Sequence, residues 1–172
     1  GPLLSVPFST APATGDTQLL EVVYHGQPLT DPGDWGGFYH QGNYTFNLGV
    51  GFVANPHSFG RAWFPCFDNF VERSTFEFHV KTNPSFPAHC NGVLTGEEQE
   101  SGQTTRHWAI NQPIPSYLAG FASGPYNTWK RTLLSIPVEI AAAAADTNKV
   151  ALTFKHLSEA IQCFQFWYGP FK

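Results

Sequence analysis

The 172-residue sequence contains no methionine. A natural reading frame opens on Met, and Gly1-Pro2 matches a common remnant of tag removal, so the chain is expected to be a trimmed piece of a longer protein. Charge is scarce as well. Charged residues make up 13% of the chain, about half the roughly 25% usual for soluble domains. Nine bases against thirteen acids give a net charge of −4, which lacks the Lys/Arg excess a phosphate-binding surface needs and excludes nucleic acid as an expected partner. No apolar run approaches the roughly 20 residues of a membrane span. The longest low-polarity stretch, Ile140 to Ala145, is nearly all alanine, so a soluble chain is expected. Cysteine is sparse: Cys66, Cys90 and Cys163 are too far apart for a CxxC clip, and an odd count argues against a disulfide framework. Three buried thiols are expected, with one bridge plus a free thiol as the alternative. The compartment stays open.

Chemistry-bearing motifs are missing too. Hydrolytic zinc sites need three protein ligands, commonly two His one helical turn apart as in HExxH, and no such pair occurs. The seven histidines are scattered. His79 and His107 fall on the polar faces of predicted strands, where a solvated or cross-strand role is the default. His89 beside Cys90 could contribute two ligands only if Cys66 or another His folded close, and the spacing supports no known site, so no structural zinc is expected. No G-x-S-x-G elbow and no phosphate loop are present. Gly33 to Gly42 holds four glycines, but Trp35, Phe38 and Tyr39 interleave them and predict an aromatic-studded surface loop. This chain is expected to catalyse nothing by itself.

Aromatic residues are abundant, at 16% with sixteen Phe, and their spacing predicts mostly β structure. The length suits about one domain and part of another. After a loop-like opening to about Thr17, alternation predicts strands at Leu20 to Tyr24, Asn43 to Leu48 and Thr75 to Lys81. Ala88 to Leu94 and Thr104 to Ile110 predict a hairpin joined through the charged segment Glu97 to Gly102. Tyr117 to Ser123 and Leu133 to Ile140 predict two more strands, with Pro137 confining the second to an edge or bulge. From Val150 the period changes: Phe154, Leu157, Ile161, Phe164 and Tyr168 recur at steps of three and four, predicting one long helix capped near Asp146 or Thr147 and stopped by Gly169-Pro170. Phe166 and Trp167 widen its apolar stripe, so the helix is expected to seek cover on more than one side.

The most informative segment is Gly60 to Asn69, GRAWFPCFDN. Pro65 fixes φ in a turn rich in aromatics, and Arg61 and Asp68 flank its apolar centre, where they can satisfy each other or nearby backbone. The segment resembles the R-x-W-F-P-C-F-D motif in the amino-terminal domain of aminopeptidase N-like zinc metallopeptidases, with Arg61, Trp63, Phe64, Pro65, Cys66 and Asp68 at the motif positions. Val22 to Pro28 resembles that family's V-x-Y-x-G-x-P strand and turn. The T-F-E-F strand at 75 to 78, Asn91-Gly92, Pro115 to Gly120 and Phe166 to Pro170 follow in the family's order.

The resemblance implies an antiparallel β-sandwich or saddle-shaped amino-terminal domain over residues 1–128. Residues 129–172 would then be the opening strand and helix of a truncated thermolysin-like catalytic domain. Earlier strands are expected before Gly1, and the G-A-M-E-N and HExxH motifs after Lys172. The implied role is a non-catalytic part of a zinc-dependent aminopeptidase that forms cleft wall and domain interface. The catalytic domain of the same polypeptide and the parent's peptide substrate are its implied partners. No cofactor is implied in this chain, and zinc is implied in the parent's catalytic domain. Many family members carry a substrate-contacting Gln before the motif. Here the stretch reads Ala54-Asn55-Pro56-His57-Ser58, so Asn55 or His57 would have to replace it. The alternatives are a catalytically dead scaffold relative and a free-standing carbohydrate-binding β-sandwich that stacks sugars on Trp35, Trp108 or Trp129.

Overall fold

A computed structural model describes residues 3–171, so the Gly1-Pro2 dipeptide lies outside the described residues. Among the described residues, nine strands form three antiparallel sheets, followed by short helical segments. The first sheet has the order β1-β2-β7-β4, from β1 (Gly37–Gln41), β2 (Tyr44–Leu48), β7 (Phe121–Ser123) and β4 (Ala88–Cys90). The second is β3-β6-β5, from β3 (Ser74–Thr82), β6 (Gln103–Ile114) and β5 (Val93–Glu100). A two-stranded ribbon, β8 (Tyr126–Leu133) and β9 (Ile136–Ala143), completes the set.

The alternating segments became strands where a partner could complete the hydrogen-bond ladder. Phe76, Phe78 and Val80 of β3 face inward while Glu77, His79 and Lys81 face water, and His79 pairs with His107 across to β6. Leu20 to Tyr24 alternates only partly, since Val23 is apolar, and forms no strand; Val22, Val23 and Tyr24 are exposed. Period two alone cannot hold a strand that has no ladder beside it. The charged segment Glu97 to Glu100 belongs to β5 rather than to a loop. The turn is only Ser101-Gly102, whose φ values of 51° and 75° suit a tight two-residue hairpin. Glu97 in β5 pairs with Arg106 in β6 at 2.6 Å, so those charges fit a strand with one wet face.

Three further expectations differ in detail. The glycine-rich segment contributes β1, because Gly36 and Gly37 adopt positive φ and bring backbone against backbone where any Cβ would collide with Val50 or Leu29. Tyr117 falls in a 3-10 turn (Ser116–Leu118), which leaves only Phe121–Ser123 as strand. The C-terminal stripe is broken into a 3-10 segment (Ala144–Lys149), α1 (Val150–Thr153) and α2 (Leu157–Tyr168) instead of one continuous helix. Phe154 and His156 leave helical geometry at the joint, and Gly169 ends α2 with φ 88°. Among the described residues, no helix is long and apolar enough to cross a membrane.

Burial is concentrated in small residues. Ala54, Phe59 and Ala62 form the buried apolar cluster, directly before and within the GRAWFPCFDN turn. Around it Phe38 stacks on Phe121 at 5.7 Å and lies tilted against Trp63 at 5.8 Å, and Trp63 meets Phe64 edge-on at 4.8 Å. These aromatic pairs add about 0.5–1.5 kcal/mol each beyond area burial. The C-terminal helix behaves oppositely: none of the α2 residues is buried, and Phe164, Phe166, Trp167 and Tyr168 are 64–83% exposed.

Candidate functional site

The GRAWFPCFDN turn is built around Asp68. Its carboxylate accepts hydrogen bonds from Arg61 Nη1 on Oδ2 at 2.5 Å and from the Gly60 N–H on Oδ1 at 3.0 Å. Ser116 Oγ lies 3.4 Å from the same Oδ1 and donates to the Phe67 carbonyl at 3.0 Å, tying the turn to the segment before β7. Ser58, fully buried, donates its hydroxyl to the Asp68 carbonyl. Arg61 makes a second interaction with the Ser58 carbonyl at 2.6 Å, and its guanidinium lies 5.0 Å from the Phe59 ring centroid. The Asp68 side chain is 7% exposed and that of Arg61 29%, so the charges meet largely away from water, where removing one partner strands the other's charge.

The remaining motif residues shape this clasp. Trp63 and Phe64 carry its aromatic contacts, Phe64 reaching Phe76 of β3 at 6.2 Å, while Pro65 is exposed at the bend. Cys66 is half-buried; burial, with the Asp68 charge adding to it, pushes its thiol up to about 11. Such a thiol is neutral at physiological pH and a poor nucleophile. Burial likewise pushes Cys90 up to about 12. Cys163 is exposed on α2, so the expectation of three buried thiols fails there, because the helix face that carries it is uncovered.

The stretch before the motif is equally constrained. Asp31, 2% exposed, accepts backbone N–H bonds from Gly33 at 3.0 Å, Val53 at 3.1 Å and Ala54 at 2.9 Å. Gly51 and His57 bond to each other twice: the Gly51 N–H to the His57 carbonyl, and His57 Nδ1 to the Gly51 carbonyl, both at 2.9 Å. Asn55 and His57 are exposed at the tip of this loop, and the Asn55-Pro56 peptide bond is cis. Both candidate substrate contacts therefore stand on one solvent-facing loop, adjoining but outside the Arg61–Asp68 clasp.

Sequence reasoning missed Asp31, Ser58 and Ser116. Asp31-Pro32-Gly33 carried a turn signal, but no local pattern announces that its carboxylate will meet backbone 22 and 23 residues ahead.

The donor set does not fit a metal centre. Among the described residues, no three His, Cys, Asp or Glu side chains are placed to hold an ion. His89 packs against Trp108 and Tyr126, and Cys90 lies beside it in β4, with no third donor joining them among the described residues. Of the three tryptophans considered for sugar stacking, Trp35 is 50% exposed, whereas Trp108 and Trp129 are half-buried. Trp35 leans on Phe52, Trp108 donates Nε1 to the Ala88 carbonyl, and Trp129 lies under Arg131.

A family model described as the Peptidase M1 N-terminal domain matches residues 1–118. This chain belongs to that family. An M1 N-terminal domain accounts for the β-rich architecture and for the clasp occurring within the matched stretch. Among curated proteins, Leucine aminopeptidase 2 of Candida glabrata is 39% identical over 64 residues, 37% of this chain and 10% of that protein. Leucine aminopeptidase 2-2 of Meyerozyma guilliermondii is 40% identical over 65 residues, 37% of this chain and 9% of that protein. Among solved structures, an M1 zinc metallopeptidase mutant of Deinococcus radiodurans bound to a Tyr-Ser-Ala substrate aligns with TM-score 0.69 at 22% identity. That alignment covers 83% of this chain and 34% of the other. A two-domain M1 zinc metallopeptidase mutant bound to L-tryptophan aligns with TM-score 0.64, also at 22% identity and with the same coverage of both chains. These structural likenesses establish the fold, and the chain spans about a third of the length of the solved M1 proteins it matches.

Proposed function

We propose that this chain is the non-catalytic portion of a zinc-dependent aminopeptidase that removes amino-terminal residues from peptides, and that it supplies cleft wall and domain interface. In this reading zinc would be held by the catalytic domain of the parent polypeptide, where it would supply Lewis-acid activation of water for hydrolysis. The observation that carries the interface role is the uncovered aromatic face of α2, with Phe164 64% and Trp167 72% exposed. A continuous apolar face of this kind is a liability in water and an asset against a neighbouring domain. In this reading residues 1–128 are the amino-terminal domain and residues 129–172 open the catalytic domain, with the division falling inside β8.

The loop at Asn55 and His57 is the part that would touch substrate. Asn55 offers an amide donor and acceptor on a short stem, and His57 offers a ring nitrogen whose ring is held by its bond to the Gly51 carbonyl. Steady-state kinetics on a longer reading frame, through the catalytic domain, tests this role. Asn55→Ala and His57→Ala are expected to raise KM for short peptides several-fold with kcat little changed, as loss of a uniform binding contact does. Unchanged KM in both variants would remove the loop from the substrate site.

A further inference from the structure

The Gly51–His57 loop is governed by a residue outside it. Asp31 sits in the turn before β1, where the Asp34 N–H bonds to its carbonyl at 3.1 Å and its own N–H bonds to the Gly36 carbonyl at 2.9 Å. That anchored backbone aims the carboxylate into the loop, where both oxygens are used: Oδ1 by the Ala54 N–H, Oδ2 by the N–H groups of Gly33 and Val53. Gly51 is pressed against the same carboxylate, since a Cβ there would stand 2.7 Å from Oδ1. Gly51 in turn is gripped by His57 through its N–H and its carbonyl. One buried side chain therefore touches the start and middle of the loop, and the loop's start determines where the imidazole sits.

The ring's chemistry follows from its partner. A carbonyl oxygen can only accept, so the 2.9 Å contact with Gly51 requires the proton on Nδ1 and leaves Nε2 of the neutral ring as a bare lone pair. We propose that Asp31 is a positioning residue that locks the Gly51–His57 loop, fixing His57 in the Nδ1–H tautomer with Nε2 presented to solvent as an acceptor for a hydrogen-bond donor on the ligand. The ligand role rests on the reading that this loop faces substrate, whereas the locking does not. The Asp31 carboxyl is suited to holding the loop as an anion. Desolvation pushes its pKa up, but the N–H bonds from Val53, Gly33 and Ala54 outweigh that effect and hold the pKa below its ordinary value.

Asn at position 31 keeps the shape but turns one oxygen into an NH₂ that must face backbone donors. Gly51→Ala attacks the same contact from the other side. The test is NMR on the ¹⁵N-labelled chain, reading the His57 ring nitrogens and the amide exchange of Val53 and Ala54. The parent chain is expected to show a single Nδ1–H tautomer. In Asp31→Asn, Val53 and Ala54 are expected to exchange about tenfold faster and the His57 signal to average between tautomers, with β3 and β6 amides unchanged. If Asp31→Asn does not fold, Gly51→Ala is expected to give the same two changes. A mixed tautomer in the parent chain, or a variant with unaltered His57 signals and loop exchange, overturns the proposal. The readout uses no substrate, so a locked His57 combined with an unchanged KM in His57→Ala would sink the substrate role alone.

Discussion

Arg61 Nη1 and Asp68 Oδ2 meet at 2.5 Å across the aromatic turn, and the same carboxylate also caps the Gly60 N–H. Because Asp68 is almost wholly buried, the pair behaves as one structural unit. Arg61→Ala strands a buried anion, and Asp68→Ala strands a guanidinium and a backbone donor. Each is expected to destabilise the fold by about 2–4 kcal/mol in denaturant titrations, at the lower end for Arg61 because it is partly solvated. The double variant should cost clearly less than the sum of the singles. Simple additivity would show that the two residues do not depend on each other.

His89 provides a pH test. Burial, helped by the nearby Arg106 charge, holds its pKa below the ordinary 6.5. A histidine that resists protonation when folded stabilises the fold above its unfolded pKa. That stability drains as pH falls from about 6.5 toward the depressed folded value and falls no further below it. Thermal melts of the chain and of His89→Gln from pH 7.5 to 5 should therefore diverge, the parent losing more stability on acidification. Parallel curves would contradict the assigned direction.

The three thiols should react in a fixed order. Cys66 and Cys90 are half-buried and protonated at neutral pH, whereas Cys163 stands exposed on α2. Brief iodoacetamide treatment at pH 8, read by peptide mass spectrometry, is expected to label Cys163 at least about tenfold faster than the other two. Labelling of all three at one rate would mean that the clasp and β4 open readily.

The uncovered face of α2 should reveal itself in solution. Sedimentation velocity with a hydrophobic dye is expected to show either dye binding or self-association by residues 1–172, and Phe164→Ser with Trp167→Ser should reduce it. A strictly monomeric parent chain that binds no dye would count against an interface on this helix.

Much of this architecture could be read from the residues, and the failures share a physical cause. The alternation of Phe76, Phe78 and Val80 placed β3 to within a residue at each end, because that strand has one wet face and one dry face. Leu20 to Tyr24, whose alternation is interrupted by Val23, forms no strand, since pairing also depends on a neighbour that local sequence does not specify. The clasp was foreseeable from two opposite charges flanking an apolar turn. The second anchor, Asp31, was not, because its partners lie 22 and 23 residues away. The helical stripe was legible as a period but not in its continuity, which breaks at Phe154 to His156.

The most direct check of the non-catalytic role is zinc-dependent hydrolysis of aminoacyl anilides, measured side by side for residues 1–172 and for a reading frame continued through the catalytic domain. The expected result is turnover by the longer protein and none by residues 1–172 at any zinc concentration. Zinc-dependent turnover by a clean preparation of residues 1–172, or an inert longer protein with its zinc bound, would contradict it.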